Sequence, residues 1–448
     1  MTELDAAAGS DSSLSISLLP GTSCAVHPHI TSTPITAMPH PGHTQNFNAG
    51  ELLKNRLRVQ LRQKISSSPM WKRFSEAATL FDFKLLARFF PPRPQPLPRQ
   101  AKLILVFSTT GLGDGLFDSA AIRSLKLGHP GAKLIVCAHR ARQSVALHNP
   151  YVDEVTPFGK SPFRQFKLLW RFRRQRPDLV VVLHANEEVC PLAYCINRDA
   201  VVAFSNLNEK YAFLAAHPVK VRDAQHAVLR PLKVAEYAGG SAVAPRMIYD
   251  VKAAELMAIR ARFSGWIDHP YVVLQTGGGR RLFWRDWPVE HYVTVIRWLS
   301  GHFPHQVVLT GGVENLERAN AMEQDCPGVV NLAGKTTIAE TAALLHLTKM
   351  LLTTDTGVMH LGFAVGCPVV CLFHDLCPAE NYCPLDKSRR YIALQLRRPQ
   401  AQQAPSVRDM EGISCDEVKC AIAEILAANG ESLRPPRRHK DEQPEQTN

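Results

Sequence analysis

Between Lys102 and Phe373 short apolar runs alternate with helical patterns, and that alternation constrains the fold more than any other feature of the chain. "KLILVFS" (Lys102 to Ser108), "AKLIVCA" and "DLVVVLHA" (Asp178 to Ala185) read as buried strands, separated by helical stretches such as "DSAAIRSLKLGHP" and "FRQFKLLWRFRRQRP". "HAVLRPLKVAEYAGG" closes this series. After "RFSGWIDHP" a second one begins, with strands "YVVLQTG", "QVVLTGG", "VVNLAG", "MLLTT" and "VVCLF". Its helices are "VEHYVTVIRWLSGHF", one from Leu316, "TIAETAALLHL" and "GVMHLGFAVG". Strands that stay apolar without alternating are covered on both faces, as in parallel sheets flanked by helices. Two such series, divided between Gly239 and Asp268, predict an α/β chain of two facing doubly wound domains with parallel sheets.

The flanks differ. Residues 1–48 are rich in Ser, Thr, Pro, Ala and His without a sustained period, the composition of a disordered tail. From Gly50 to Arg99 there are 11 Lys and Arg against 3 Asp and Glu, a net +8 within a chain of net +12. Leu52, Leu53, Leu57, Leu61, Trp71, Phe81 and Phe89 give that segment an apolar side. It therefore reads either as a solvated helical face or as a basic amphipathic stretch touching anionic lipid. No nucleic-acid motif or stacking platform accompanies it, so nucleic acid is not an expected partner. "PPRPQPLPRQ" (Pro91 to Gln100) is a stiff linker. The expected organisation is a tail (1–48), a basic segment with its linker (49–100), one domain (101–250), a second (251–412), a C-terminal helix (413–430) and a disordered end (431–448). Ser414 and Glu417 are spaced to cap that helix. No apolar run approaches a membrane span, and no basic residue precedes Lys54, so the expected location is cytoplasmic. The 11 cysteines show no disulfide spacing, which suits a reducing compartment.

Chemistry concentrates where strands end. The first strand runs into "STTGLGDGLF", where Gly111 and Gly113 allow a ligand close to the main chain and Asp114 stands at a strand's carboxyl end. The spacing is not that of a dinucleotide fingerprint, and the second strand ends in "CAHRAR" with no acidic ribose ligand. A hydride-transferring function is excluded on that ground. "QTGGGRRLFWRDWP" joins Thr276, Gly277 and further glycines to Arg280, Arg281 and Arg285, suited to gripping negative charge. "LTGGVENLE" offers Glu314 and Glu317, either of which could hold ribose hydroxyls or charge a helix start. "MLLTTDTGVMH" ends a strand in Asp355, Thr356 and Gly357, with His360 on the helical turn that follows. A helix start of this kind binds phosphate without a metal. Together the three loops of the second domain predict a site for a nucleoside diphosphate.

These residues resemble glycosyltransferase family 9, the ADP-heptose:lipopolysaccharide heptosyltransferases. The likeness runs from about Lys102 to Ala428 through Leu112-Gly113-Asp114, Arg285-Asp286-Trp287-Pro288, Leu332 to Thr336, Asp355 to His360 and Ala364 to Val369. "HNPYVDEV" (His148 to Val155) fits it too. The resemblance implies a GT-B fold of two Rossmann-like domains, acceptor-binding first and nucleotide-sugar-binding second. It implies inverting transfer of a heptose or related sugar from an ADP-sugar to a lipopolysaccharide core or related surface glycan, with no metal or other cofactor. Asp114 would be the general base; Arg285 and the helix start at Thr356-Gly357, with Lys335, would stabilise the departing diphosphate. The expected partners are the nucleotide-sugar donor, a glycolipid or polysaccharide acceptor, and the anionic inner membrane as a peripheral contact through residues 50–99. Three departures stand out: Arg285 replaces the family's lysine, the loop before Trp287 is longer, and His374-Asp375 follows "VVCLF" where the family has Gly-Pro or Gly-Ser. Cys377, Cys383, Cys415 and Cys420 invite comparison with the iron site of protein-glycosylating relatives, but none of them are spaced Cys-x-x-Cys. A scaffold that binds nucleotide without transfer, and an epimerase or hydrolase on the same fold, are the competing readings.

Overall fold

In the computed structural model the described residues are 69–159, 161–184, 189–205, 210–221, 225–279, 283–303, 306–386, 390–398, 405–406 and 408–431. They begin with helix α1 (Pro69–Phe89) and continue through β1 (Leu103–Ser108), α2 (Leu112–Gly128), β2 (Lys133–His139), the single turn α3 (Ser144–Leu147) and β3 (Glu154–Phe158). Then come α4 (Pro162–Gln175), β4 (Leu179–Val182), α5 (Cys190–Asn197), β5 (Val201–Ser205), β6 (His217–Lys220) and α6 (Leu229–Tyr237). The second half comprises α7 (Ala253–Arg262), β7 (Tyr271–Gln275), α8 (Val289–His302), β8 (Gln306–Thr310), α9 (Leu316–Asp325) and β9 (Val330–Asn331). It ends with α10 (Ile338–Leu347), β10 (Met350–Thr354), α11 (Gly357–Val365), β11 (Val369–Phe373), β12 (Tyr391–Gln395) and α12 (Cys415–Ala428). The chain divides into two compact units, Met1–Lys72 and Arg73–Asn448, and both sheets belong to the second.

Each sheet has six strands, in the orders β3-β2-β1-β4-β5-β6 and β12-β11-β10-β7-β8-β9. Every pairing is parallel. In both sheets the connection reverses direction, between β1 and β4 in one and between β7 and β10 in the other. Such switch points open a crevice at the carboxyl ends of the strands. The central strands are fully buried because "LVVV", "YVVLQ" and "VVCLF" carry apolar groups on both faces.

Several boundaries depart from the sequence reading. Strands β3, β5, β6 and β12 were not among the expected ones, and three of these four are edge strands in the sheet orders. β3 and β6 each contain a proline, Pro157 and Pro218, which only an edge tolerates. The "VVNLAG" strand shrinks to Val330–Asn331. Helix α2 begins at Leu112, earlier than the pattern from Asp118 suggested, so Gly113 and Asp114 lie in a helical turn and not in a loop. The C-terminal helix is capped as its sequence predicts, Ser414 Oγ accepting from Glu417 N at 3.2 Å while Glu417 Oε2 takes Ser414 N at 2.9 Å. The expectations for residues 1–48 and 432–448, and for Leu52, Leu53, Leu57 and Leu61, lie outside the described residues.

The anchor of the second sheet is Trp287, fully buried against Tyr292 with ring centroids 5.1 Å apart. Its indole N–H donates to the Ile413 carbonyl at 3.0 Å, tying the segment between β7 and α8 to the segment before α12. Replacing it leaves both a cavity and an unmet carbonyl. Trp287→Ala is expected to cost about 3–5 kcal/mol in urea unfolding, and Trp287→Phe clearly less; equal losses would show that the hydrogen bond, and not the volume, dominates.

Candidate functional site

A cleft of about 770 Å³ lies at the carboxyl ends of both sheets, within the size range of nucleotide and drug-sized ligands. Its walls bring together Gly111, Gly113 and Asp114 from one half with Gly277, Arg285, Glu314, Asp355, Thr356, Gly357 and His360 from the other.

On the first wall the turn after β1 leads straight into α2. Gly111 is the N-cap residue, and Asp114 Oδ2 accepts its backbone N–H at 3.0 Å. The carboxylate therefore sits in the first helical turn, where the helix dipole favours negative charge. Beneath it lies a group the sequence reading missed. Asp118, wholly buried, accepts Ser108 Oγ at 2.6 Å and faces His184 Nε2 at 2.8 Å. The same His184 nitrogen is 3.4 Å from the Asp114 carbonyl. Burial works against a charged imidazole here, but the Asp118 and Asp114 carboxylates outweigh it and lift His184 to about 9. A buried histidine–carboxylate pair thus lies under the turn that carries Asp114. The period-four offset of Asp118 from Asp114 was a visible signal; the arrival of His184 from the end of β4 was not.

On the second wall the glycine loop after β7 is fastened from below. Asp286 Oδ1 takes the Gly278 N–H at 2.6 Å, and Asn315 Nδ2 donates to the Gly278 carbonyl at 3.0 Å. A Cβ at Gly277 would come within 3.0 Å of Asn315 and 3.1 Å of Asp286. Thr276 does not line the cleft: its hydroxyl and its N–H both go to the Thr310 carbonyl at 3.0 Å. Neither does Lys335, whose ammonium donates to the Asn331 carbonyl at 2.8 Å, away from the place expected for it. Of the two candidate ribose ligands, Glu314 lines the cleft and Glu317 does not. Arg280 and Arg281 lie outside the described residues.

Asp355 ends β10 with 4% of its side chain exposed and binds Arg285 through Nη1 at 2.7 Å. Arg285 also lies over the Trp284 ring at 4.7 Å, and its Nε has no hydrogen-bond partner among the described residues. Thr356 caps α11, its hydroxyl taking the Met359 N–H at 3.4 Å. His360 is buried between the halves, edge-on to Phe117 at 4.6 Å and 3.9 Å from Asp355 Oδ1. Burial holds this imidazole down at about 4 against the pull of the Asp355 and Asp114 carboxylates. Its Nδ1 has no partner among the described residues.

A pH prediction follows for His360. The unfolded chain takes up this proton near pH 6.5 and the native one only near 4, so the unfolded state binds more protons in between. Stability from the neutral ring is complete above about pH 6.5 and is lost as pH falls towards 4, by about 3 kcal/mol. Denaturant unfolding of His360→Gln should show a correspondingly flatter acid limb than wild type; parallel limbs would contradict the buried neutral imidazole.

Among the described residues no three His, Cys, Asp or Glu side chains cluster to hold a metal ion, and Cys377, Cys383, Cys415 and Cys420 do not gather into one site. No helix among them is long and apolar enough to cross a membrane.

Comparison with known proteins gives a consistent picture. The family model described as "Glycosyltransferase family 9 (heptosyltransferase)" matches residues 165–409. Lipopolysaccharide heptosyltransferase 3 of Escherichia coli is 26% identical over 280 residues, 58% of this chain and 80% of that protein. The solved structure of E. coli ADP-heptose lipopolysaccharide heptosyltransferase II superposes with a TM-score of 0.61 at 20% identity, covering 73% of this chain and 99% of that one. The E. coli heptosyltransferase WaaC with ADP gives 0.54 at 18% identity, covering 73% and 99%. The fold of these structures is the fold of this chain.

Proposed function

Because the chain belongs to glycosyltransferase family 9, the heptosyltransferase family, and is a glycosyltransferase, we propose that it moves a heptose or related sugar from an ADP-sugar to a lipopolysaccharide core or related surface glycan, inverting the anomeric centre and using no metal. The observation that carries this reading is the convergence of two helix starts on one cleft, one bearing Asp114 and the other flanked by Arg285. The relative solved with ADP supports the choice of nucleotide.

In this reading the first half (101–250) holds the acceptor and the second (251–412) the donor. The acceptor hydroxyl gives its proton to Asp114 as its oxygen attacks the anomeric carbon, and ADP leaves from the opposite face. Negative charge grows on the diphosphate, where the free N–H groups of α11 at Thr356 and Gly357, together with Arg285, offset it. Glu314 accepts hydrogen bonds from the ribose. Asp355 acts through Arg285, whose orientation it fixes. Arg142, also on the acceptor wall, is tied to the Thr110 carbonyl at 2.8 Å and gives that wall positive charge, which suits an anionic core glycan. Residues 50–99 serve as a peripheral contact with the anionic inner membrane.

The test begins with ADP, which should raise the melting temperature of the protein as any ligand of the native state does. Transfer from ADP-heptose to a heptose-deficient core oligosaccharide should follow. Absence of ADP binding would overturn the donor assignment. Release of free sugar from the donor without acceptor would favour a hydrolase, and ADP binding without turnover of any sugar nucleotide would favour the scaffold.

A further inference from the structure

Helix α4, "PFRQFKLLWRFRRQ", contains five basic residues and no acidic one. It buries Leu168 and Phe172 in the first domain and turns Phe163 (71% exposed), Phe166 (64%) and Trp170 (57%) outward at spacings of three and four. Helix α1 packs Leu80, Phe83 and Ala87 into the same core and exposes Phe81, Leu85 and Phe89 (70%). Eight of the sixteen large apolar side chains exposed among the described residues belong to these two helices and the adjoining Phe90. That concentration is far from the scatter of a solvated surface.

An open groove of about 1000 Å³ joins the two helices, with Leu86 and Phe90 on one side and Arg173, Arg174, Arg176 and Arg198 on the other. The one acid lining it, Asp199, is engaged by Arg198 at 3.4 Å and by the Arg93 N–H at 2.8 Å. Arg174 lies over the Trp170 ring at 4.6 Å, and neither Arg174 nor Arg176 pairs with a carboxylate among the described residues. Exposed aromatic and aliphatic groups rimmed by unneutralised guanidinium groups fit a surface that is apolar within and anionic at its edge. Two copies of the chain meeting through this face would oppose arginines without acids to receive them. Leu85 and Leu86 beside rings standing on helix ridges make a poor stacking platform for bases.

We propose that the α1–α4 face docks on an anionic lipid bilayer, with lipid phosphates entering the arginine groove. The placement has a functional geometry. Helix α4 starts just after β3 ends, so Phe163 lies on the carboxyl-end side of the sheet, the side on which the turn bearing Asp114 follows β1. Along α4, Phe163 is thus at the cleft end of the face, while the arginine groove, whose Arg176 and Arg198 precede β4 and β5, is at the other end. The biological sense rests on the acceptor assignment above, but lipid binding itself is read without donor or acceptor.

The experiment is co-sedimentation of the full chain with phosphatidylglycerol–phosphatidylethanolamine vesicles and with phosphatidylcholine vesicles. Wild type should bind the first, release at high salt and ignore the second. Phe163→Ser/Phe166→Ser/Trp170→Ser should weaken binding by at least about tenfold. Arg174→Gln/Arg176→Gln should weaken it roughly thirtyfold, at about 1 kcal/mol per basic group near the surface. Both variants should keep wild-type melting and wild-type transfer to a lipid-free oligosaccharide, and Met257→Ser, an exposed apolar residue on α7, should bind vesicles as wild type does. Equal binding to both vesicle types, or undiminished binding by the aromatic variant, would overturn the proposal. So would a lipid-free dimer that this variant dissolves, or tighter binding to single-stranded oligonucleotide than to vesicles.

Discussion

Asp114→Asn is expected to reduce sugar transfer by about two to four orders of magnitude, the usual share of a positioned general base, while melting and ADP affinity stay at wild-type values. The substitution is chosen for what it preserves. An asparagine oxygen can still accept the Gly111 N–H that Asp114 now takes at 3.0 Å, so the start of α2 keeps its cap. Only the ability to accept a proton from the acceptor is removed. Asp114→Ala would confuse the two effects, adding about 1 kcal/mol of lost cap to the lost base. Single-turnover kinetics with saturating donor would read the chemical step directly. Transfer within tenfold of wild type would remove Asp114 from the mechanism. Asp118 could not easily replace it, being fully buried and already engaged with Ser108 and His184.

The second large effect belongs to Arg285. Arg285→Met should lower transfer by about 10²–10³-fold through loss of a donor to the growing diphosphate charge. It should also destabilise the fold by about 3–5 kcal/mol, since it leaves Asp355, nearly inaccessible to water, without the guanidinium 2.7 Å away. These two losses have different remedies. Adding Asp355→Asn removes the stranded charge, so the double variant should recover most of the stability and none of the transfer. If both recover together, Arg285 matters to the reaction only by holding the fold. If neither recovers, Asp355 contributes beyond its pairing with Arg285.

The sequence made the strand ends legible because glycines, arginines and acids stand out against apolar runs. Asp114, Gly277, Arg285, Asp355, Gly357 and His360 all meet in one cleft. Thr276 was chosen by its place at a strand end and Lys335 by the family resemblance, and side-chain direction takes both out of the cleft. One is consumed by the neighbouring strand's carbonyl and the other turns back on its own loop. Asn315 could have been found, standing three residues after Gly312, whose N–H it accepts at 3.1 Å. His184 and Asp118 could not have been paired, since their partnership depends on how β4 lies beside β1. Three edge strands were missed for the opposite reason: β3 and β6 are interrupted by proline and β12 is half exposed along its length, so they lack the continuous apolar signal of the centre.

The departure at His374-Asp375 also acquires a physical account. His374 is wholly buried, 3.0 Å from Asp409 and 2.8 Å from Asp375, and Arg398 bridges the same two acids. Its ring meets Trp284 edge-on at 4.7 Å, under the indole that carries Arg285. The residues that differ from the family therefore buttress the Arg285 side of the cleft from behind.

Two glycines in the cleft are matched across the halves. A Cβ at Gly113 would stand 2.7 Å from the His360 ring, and one at Gly357 would stand 2.8 Å from Leu112 Cβ. Each helix thus makes room, by a missing side chain, for a residue of the other. The separation between the two walls of the cleft is gauged by these two empty positions: any residue larger than glycine would act as a shim, holding the Asp114 turn and the Thr356 turn apart.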